Sequence, residues 1–122
     1  MALIIGNSIR KKEFGEIIPN DDLEIIIRSA KVELATPIKG EGIPKGTRLL
    51  KAYATSSKGA RRIVFLVEVE EGDLFLLFYR DKKDKIGANI TIKNKTFKSQ
   101  LWKHMDGLLS DIESGDFETI ET

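Results

Sequence analysis

Residues 47–80 read TRLLKAYATSSKGARRIVFLVEVEEGDLFLLFYR, and this stretch decides the fold. Its hydrophobic runs are separated by two short polar segments, SSKG and EEGD. Short connections of this kind are typical of hairpins, so the stretch predicts three consecutive antiparallel strands, TRLLKAYAT, ARRIVFLVEV and DLFLLFYR. The middle strand is apolar on both faces over residues 63–67. This pattern indicates a sheet that is covered by helices on one face and buries further residues on the other.

The chain before this meander predicts one strand and one helix. ALII, close to the N-terminus, is typical of a short strand. Residues 20–35 predict a helix that Asn20 or Asp21 caps, with Glu24 as the capping-box partner. Pro37 is expected to end this helix, and PIKGEGIPKG is expected to be a loop. The apolar face of the helix is formed by Leu23, Ile26, Ile27, Ala30 and Leu34.

Residues 96–114 predict a C-terminal helix, which Gly107 weakens by about 1 kcal/mol and Gly115 is expected to end. The sequence therefore predicts a single α+β domain over residues 1–122. In this domain an antiparallel sheet, made of the N-terminal strand and the three-stranded meander, packs against an N-terminal and a C-terminal helix. The apolar residues of the C-terminal helix are Phe97, Leu101, Leu108 and Ile112.

Composition excludes several classes of site. The 122 residues include no cysteine, which excludes disulfides, cysteine-ligated zinc and a thiol nucleophile, and fits a cytoplasmic protein. With a single histidine and no dense acidic motif, we expect neither a metal site nor a cofactor. No apolar stretch is long enough for a membrane helix, and MALIIGN lacks the basic segment of a signal peptide, so we expect no membrane contact.

Charge is distributed unevenly along the chain. Residues 39–103 contain 15 Lys and Arg against 7 Asp and Glu, whereas residues 104–122 contain 6 acidic residues and no Lys or Arg. A basic middle segment predicts a surface that binds a polyanion. The alternative is a solvated charged face without a ligand.

The two short turns set a register that brings cations together. Folding the strands about SSKG places Tyr53 beside Arg62, with Lys51 on the same face two residues away. Folding about EEGD places Arg62 near Asp81, which brings Tyr79 to the same end of the sheet. The register therefore predicts a cationic, aromatic site formed by Lys51, Tyr53, Arg62 and Tyr79 and surrounded by Arg61, Lys82, Lys83 and Lys85.

Such a site suits RNA. An arginine can contact phosphate through two hydrogen bonds, and a tyrosine can stack on a base. A lysine among other positive charges has a lowered pKa, so it can take the proton of a 2′-hydroxyl that attacks the adjacent phosphate. This chemistry requires no metal ion.

The segments GTRLLKAY, KGARRIVFLV and LFLLFYRDKKDK, and the predicted order of elements, resemble the RelE/ParE superfamily of bacterial toxins over residues 45–115. The resemblance implies a RelE- or HigB-like mRNA interferase: an endoribonuclease toxin that cleaves mRNA, in general on the ribosome. It also implies a cognate antitoxin that holds the monomeric toxin in a hetero-oligomer. A ParE-like inhibitor of DNA gyrase and an inactive nucleic-acid-binding module are the alternatives.

The resemblance also implies roles for individual residues. Lys51 matches the lysine that acts as base, and Arg62 matches the arginine that stabilises the transition state. The cation of the final strand is Arg80 or Lys82, and Tyr79 or Tyr53 stacks on the base or acts as acid. The further residues expected to bind RNA are Lys45, Arg48, Tyr53, Lys58, Arg61, Lys83 and Lys85.

Each candidate also has a purely structural interpretation. Lys51 is an exposed strand lysine, Arg62 pairs with Asp81, and Tyr79 packs in the core with its hydroxyl at the surface. His104 shares a helical face with Phe97, Leu101 and Leu108, so we expect it to be a partly buried packing residue rather than an acid or base. Trp102 is expected to be a core residue or an antitoxin contact.

Overall fold

The computed structural model of the chain describes residues 2–30, 35–40 and 42–121. They form an α+β fold in which six strands make one open sheet in the order β2-β3-β4-β5-β1-β6. Among the helices of the described residues, none has the length and apolar character needed to cross a membrane. In chain order the elements are β1 (Ala2–Gly6), α1 (Asn7–Phe14), α2 (Asn20–Ser29), β2 (Thr36–Ile38), β3 (Thr47–Ser56), β4 (Gly59–Glu68), β5 (Leu74–Asp81), α3 (Lys95–Ser114) and β6 (Phe117–Glu121).

The predicted meander is confirmed, but the sheet is mixed rather than antiparallel throughout. β3, β4 and β5 pair antiparallel in succession. β1 pairs in parallel with β5, with Leu3 opposite Leu74, and antiparallel with β6. The connection from β1 to the meander runs through two helices, and this length allows β1 to lie parallel to β5.

Helices cover both faces of the sheet. The Phe78 ring stacks on His104 of α3 at a centroid distance of 4.2 Å, whereas the Tyr79 hydroxyl donates a hydrogen bond to Asp22 of α2 at 2.6 Å. Successive strand residues point to opposite faces, so α3 lies on the face that bears Phe78 (the α3 face) and α2 on the face that bears Tyr79 (the α2 face). This two-sided cover explains why residues 63–67 are all buried.

The N-terminal helix differs from its prediction at both ends. α2 spans Asn20–Ser29, and residues 31–34 of the expected helix, including Leu34, lie outside the described residues. Pro19 is the N-cap residue and no side chain caps the first turn, so the predicted capping box is wrong. The predicted apolar face does pack inward, with Ile26 and Ala30 buried and Leu23 and Ile27 half-buried.

The C-terminal helix agrees with its prediction. α3 spans Lys95–Ser114 and ends at Gly115, whose φ of 74° is the left-handed conformation that favours glycine. A Cβ added at Gly107 would lie 3.3 Å from the Cβ of Ser8, so this glycine lets α1 approach α3 closely. Phe97, Leu101 and Leu108 are buried, but Ile112 is 36% exposed.

Three elements were not predicted. β2 lies partly within the expected loop 37–46, and β6 is an exposed edge strand in the acidic C-terminal segment. α1 buries only Ile9, which is too little for a periodic signal. Its first turn is held from α3, because the Asp111 carboxylate accepts hydrogen bonds from the Ser8 backbone N–H at 2.8 Å and from the Ser8 hydroxyl at 2.9 Å.

Candidate functional site

Three of the predicted site residues meet on the α3 face. The register of β3 and β4 is as predicted, with Tyr53 opposite Arg62 and Lys51 opposite Val64. The Arg62 guanidinium lies over the Tyr53 ring, 4.2 Å from its centroid, and the Lys51 ammonium lies 5.8 Å from the same centroid. We call these three residues the Lys51–Tyr53–Arg62 cluster.

The cluster is open to a ligand. Tyr53 is 58% exposed, and Lys51 and Arg62 are half-buried. Within the described residues neither cation has a carboxylate within ion-pair distance, and the hydrogen bond of the Arg62 guanidinium goes to the Arg61 carbonyl at 3.3 Å. The arrangement therefore offers an aromatic surface close to two positive charges, which suits a base and its phosphate.

Tyr79 does not join this cluster, because the predicted register of β4 and β5 is wrong by one residue. An irregularity between Val64 and Phe65 shifts the pairing, so that Arg62 lies opposite Arg80 rather than near Asp81. Tyr79 consequently lies opposite Ile63, on the α2 face, while Lys51 and Arg62 point to the α3 face.

Tyr79 is instead part of the packing between α2 and the sheet. It is 7% exposed, its ring lies 5.3 Å from that of Phe14, and its hydroxyl donates to Asp22. Burial and the Asp22 carboxylate raise the pKa of this hydroxyl above its ordinary value, although Arg61 opposes the shift. These contacts make Tyr79 a structural residue.

We therefore expect Tyr79→Phe to lower the free energy of unfolding by about 1–2 kcal/mol, since it removes one hydrogen bond to a carboxylate. The arrangement of the Lys51–Tyr53–Arg62 cluster should be unchanged, because the Tyr79 hydroxyl lies on the other face of the sheet. Urea denaturation followed by circular dichroism measures the loss of stability. Native stability in Tyr79→Phe would show that the hydrogen bond to Asp22 contributes nothing to the fold.

Arg80 lies on the α3 face but is already engaged. Its Nε and Nη2 donate to the two carboxylate oxygens of Glu13, each at 2.8 Å, and its Nη1 lies 3.4 Å from Asp84. The hydrogen bonds to Glu13 raise the pKa of Arg80 above its ordinary value despite burial. This pairing also offsets the repulsion between Arg80 and Arg62, which are directly opposite each other.

Glu13 is the centre of a buried polar network that the sequence did not reveal. Its side chain is fully buried and accepts hydrogen bonds from Arg80, from the Tyr79 backbone N–H at 2.8 Å and from His104 Nε2 at 3.0 Å. Burial by itself raises the pKa of Glu13, but these donors outweigh it and leave the pKa below the ordinary 4.5. His104 is 1% exposed and stacks on Phe78, so the predicted packing role is confirmed and more complete than expected.

Arg61 is also paired. It lies on the α2 face, 2.8 Å from Asp81, with its guanidinium 5.9 Å from the Tyr79 ring centroid. Arg61, Tyr79 and Arg80 do line one open cleft of about 340 Å³ between the α1–α2 connection and β5. The same cleft contains Glu13, Asp22 and Asp81. These carboxylates already accept hydrogen bonds from Arg80, Tyr79 and Arg61, respectively.

The remaining predicted cations are exposed and lie at three places. Lys58 is in the β3–β4 turn, and Lys82, Lys83 and Lys85 follow β5. Lys45 and Arg48 are at the far end of β3, where Arg48 is about 16 Å along the strand from Tyr53 and on the other face. Lys45 and Arg48 are therefore not part of the cluster.

Among the residues that the structure describes, one group of acidic side chains lies close enough to share an ion. Carboxylate oxygens of Glu68, Glu71 and Asp73, at the β4–β5 turn, are all within 4.8 Å of one another. The turn is at the other end of β4 from Arg62. Acidic side chains at an exposed turn are also common without a bound ion, because they interact with water.

Comparisons of the chain with protein-family models, with curated proteins and with solved structures found no match.

Proposed function

We propose that the chain binds single-stranded RNA at the Lys51–Tyr53–Arg62 cluster and cleaves it as a RelE-like mRNA interferase toxin. One observation carries the proposal: an exposed tyrosine ring lies 4.2 Å from an arginine and 5.8 Å from a lysine that have no acidic partner among the described residues. Base stacking on the ring and phosphate contacts to the two cations then act on the same nucleotide.

Cleavage follows from the positions of the two cations. Lys51 takes the proton of the 2′-hydroxyl, whose oxygen attacks the adjacent phosphorus. Arg62 stabilises the negative charge that develops on the phosphate oxygens. The bond to the 5′-oxygen breaks, this oxygen takes a proton from water, and a 2′,3′-cyclic phosphate remains.

The order of elements supports the same assignment. β1, the helices α1 and α2, the β3–β5 meander and α3 follow each other in the order that the resemblance to RelE-like toxins implies. β2 and β6 are additional strands at the two edges of the sheet. The proposal therefore includes the partners that this class implies, namely mRNA on the ribosome and a cognate antitoxin, in the cytoplasm. The pairing of Arg80 with Glu13 removes Arg80 from the proposed reaction, and Lys82 remains as the cation that follows the final strand.

A second candidate is binding without cleavage. It is favoured by the engagement of Tyr79 and Arg80. Tyr79 is then unavailable as the acid, and Tyr53, the alternative acid, already serves as the surface on which the base stacks. In this case the protein would act as a single-strand-binding module at the same cluster.

The test is to incubate the purified protein with a labelled RNA oligonucleotide, and separately with mRNA on translating ribosomes. Products that end in a 2′,3′-cyclic phosphate support the proposal, and cuts seen with ribosomes alone add ribosome dependence. Binding without products supports the second candidate. If the protein inhibits DNA gyrase in a supercoiling assay and neither binds nor cleaves RNA, both candidates are wrong and a ParE-like inhibitor takes their place.

Replacing Tyr53 by alanine is expected to weaken the binding of single-stranded RNA by about 1–3 kcal/mol, or roughly 5–150-fold in Kd, because a stacking surface is lost. Tyr53→Phe keeps the ring and should bind nearly as well as the native protein. Fluorescence anisotropy with a labelled oligouridylate measures both variants. Equal affinities for the alanine and native proteins would show that no base stacks at this position.

A further inference from the structure

The connection between β5 and α3 continues into an unusually basic helix start. Residues 82–98 contain one acidic residue, Asp84, whose carboxylate lies 3.4 Å from the Arg80 guanidinium and accepts from the Ile86 backbone N–H at 2.8 Å. None of the lysines in this stretch forms an ion pair within the described part of the chain. Six of its residues are exposed lysines: Lys82, Lys83, Lys85, Lys93, Lys95 and Lys98.

These lysines do not serve the stability of α3. Lys95 and Lys98 lie in or next to its first turn, which contains no acidic residue. The dipole of a helix favours negative charge at this end and disfavours positive charge. Positive charge at the start of α3 is therefore unfavourable, and within the described residues no acidic side chain compensates it by an ion pair. We take this as a sign that these lysines bind a negatively charged partner molecule.

The segment begins beside the Lys51–Tyr53–Arg62 cluster, because it follows Arg80, which lies opposite Arg62. From there it runs toward the other end of β3, because Gly40 comes after Ile38, which lies opposite Leu49. It leaves β5, and Gly87 packs against Arg80 on the α3 face. It then reaches the β2–β3 loop, where the Ile92 side chain packs against Gly40. Because β4 and β3 lie between β5 and β2 in the sheet, the segment crosses the two strands that carry the cluster.

The geometry points to residues 82–98 as a second contact surface that holds the phosphate backbone of the RNA strand as it continues from the cluster. This inference rests on the proposed function for the identity of the polyanion. Lysines act as point charges on phosphate and do not read bases. The apolar residues Ile86, Ile90 and Phe97 are buried, and the half-buried Ile92 packs against the core and Gly40. Within residues 82–98 no large apolar side chain is therefore fully exposed for insertion into a membrane, and this favours a nucleic acid over an anionic lipid surface.

The experiment compares two matched double variants. Lys95→Gln/Lys98→Gln neutralises the start of α3, and Lys11→Gln/Lys12→Gln neutralises two exposed lysines in the last turn of α1. Affinities are measured for oligouridylates of about 20 and about 4 nucleotides, which bracket the usual length of a single-strand site. Each titration is repeated between about 50 and about 200 mM salt, over which phosphate contacts weaken strongly.

For the long oligonucleotide, log K should fall less steeply with log salt in the Lys95/Lys98 variant than in the native protein. The magnitude of the slope should be smaller by about 1.4, since each lost contact to a single strand removes about 0.7. The ratio of the native affinity to the variant affinity therefore falls about sevenfold between about 50 and about 200 mM salt. The short oligonucleotide and the Lys11/Lys12 variant should show no change. An unchanged slope in the Lys95/Lys98 variant would overturn the inference, as would binding to anionic vesicles that this variant alone abolishes.

Failure of the proposed function gives a different pattern. If Tyr53→Ala leaves the affinity for the short oligonucleotide unchanged, the cluster does not bind a base. The lysine surface is then still supported if the Lys95/Lys98 variant changes the salt slope for the long oligonucleotide.

Discussion

Replacing Glu13 by alanine is expected to lower the free energy of unfolding by about 3–5 kcal/mol, which is the usual cost of removing one partner from a buried ion pair. The fully buried carboxylate accepts from two nitrogens of Arg80, from the Tyr79 backbone N–H and from His104. Without it, the half-buried Arg80 guanidinium keeps only the longer contact to Asp84, and the Tyr79 N–H and His104 Nε2 lose their acceptor. The loss affects three elements at once, because Glu13 joins α1 to β5 and α3.

Urea denaturation followed by circular dichroism measures this loss. Glu16→Ala is the matched control, because Glu16 is exposed and just beyond the end of α1, and its replacement should change stability by less than about 0.5 kcal/mol. Glu13→Gln keeps the shape and some of the hydrogen bonds, so its loss should fall between the two. A loss for Glu13→Ala no larger than that of the control would contradict the network.

The Glu13 carboxylate also determines how the stability of the fold should change with pH. The pKa of Glu13 is lowered in the folded state from the ordinary 4.5, mainly through its hydrogen bonds to His104 and Arg80. A lowered pKa contributes stability above the unfolded value, and this contribution is lost as the pH falls below it. Native protein should therefore lose stability below about pH 4.5 more steeply than Glu13→Gln, which has no proton to take up at this position.

The sequence predicted the β3–β4 pairing correctly because a four-residue turn leaves little freedom in register. The β4–β5 pairing was predicted wrongly by two residues next to the turn, where Val67 rather than Val69 lies opposite Leu74. The irregularity between Val64 and Phe65 then leaves an error of one residue at Arg62. Strands with one polar face reveal such a slip, because alternation would then place polar residues in the core. β4 and β5 are buried on both faces, so their sequences lack this signal.

The missing elements depend on contacts between distant residues. α1 is polar and is fixed by Asp111, about a hundred positions further along the chain, and no local pattern indicates that contact. β6 is short, largely exposed and lies in an acidic segment, so its strand-favouring residues Phe117, Thr119 and Ile120 show no buried face. It forms because β1 offers it an edge.

The candidate site was predictable where it depends on the correct register. Lys51, Tyr53 and Arg62 meet as expected, whereas Tyr79 changes face because of the bulge. The partner of Arg80 had one signal in the sequence: an arginine within a largely apolar strand needs a carboxylate. The sequence did not show that Glu13 is this carboxylate, because Glu13 follows Arg10, Lys11 and Lys12 in a highly charged helix, a pattern typical of an exposed residue.

Replacing Arg62 by alanine is expected to lower the rate of RNA cleavage by about 10²–10³-fold, the usual effect of removing one group that stabilises charge in the transition state. The fold should survive, because the carbonyl of Arg61 is the acceptor of the Arg62 guanidinium within the described residues, and Arg62 forms no ion pair there. Growth inhibition on expression should disappear with the cleavage.

Two controls separate this role from general charge. Arg48→Ala removes an exposed arginine from the same sheet, but at the far end of β3 and on the other face, so cleavage should continue at the native rate. Arg62→Lys keeps the charge but not the paired donors, and it should recover part of the rate. The measurement is the rate of 2′,3′-cyclic phosphate formation under saturating protein, with circular dichroism to verify the fold. Because Lys51, Tyr53 and Arg62 form the cluster that carries the proposal, native cleavage by a folded Arg62→Ala protein would remove this surface from the reaction.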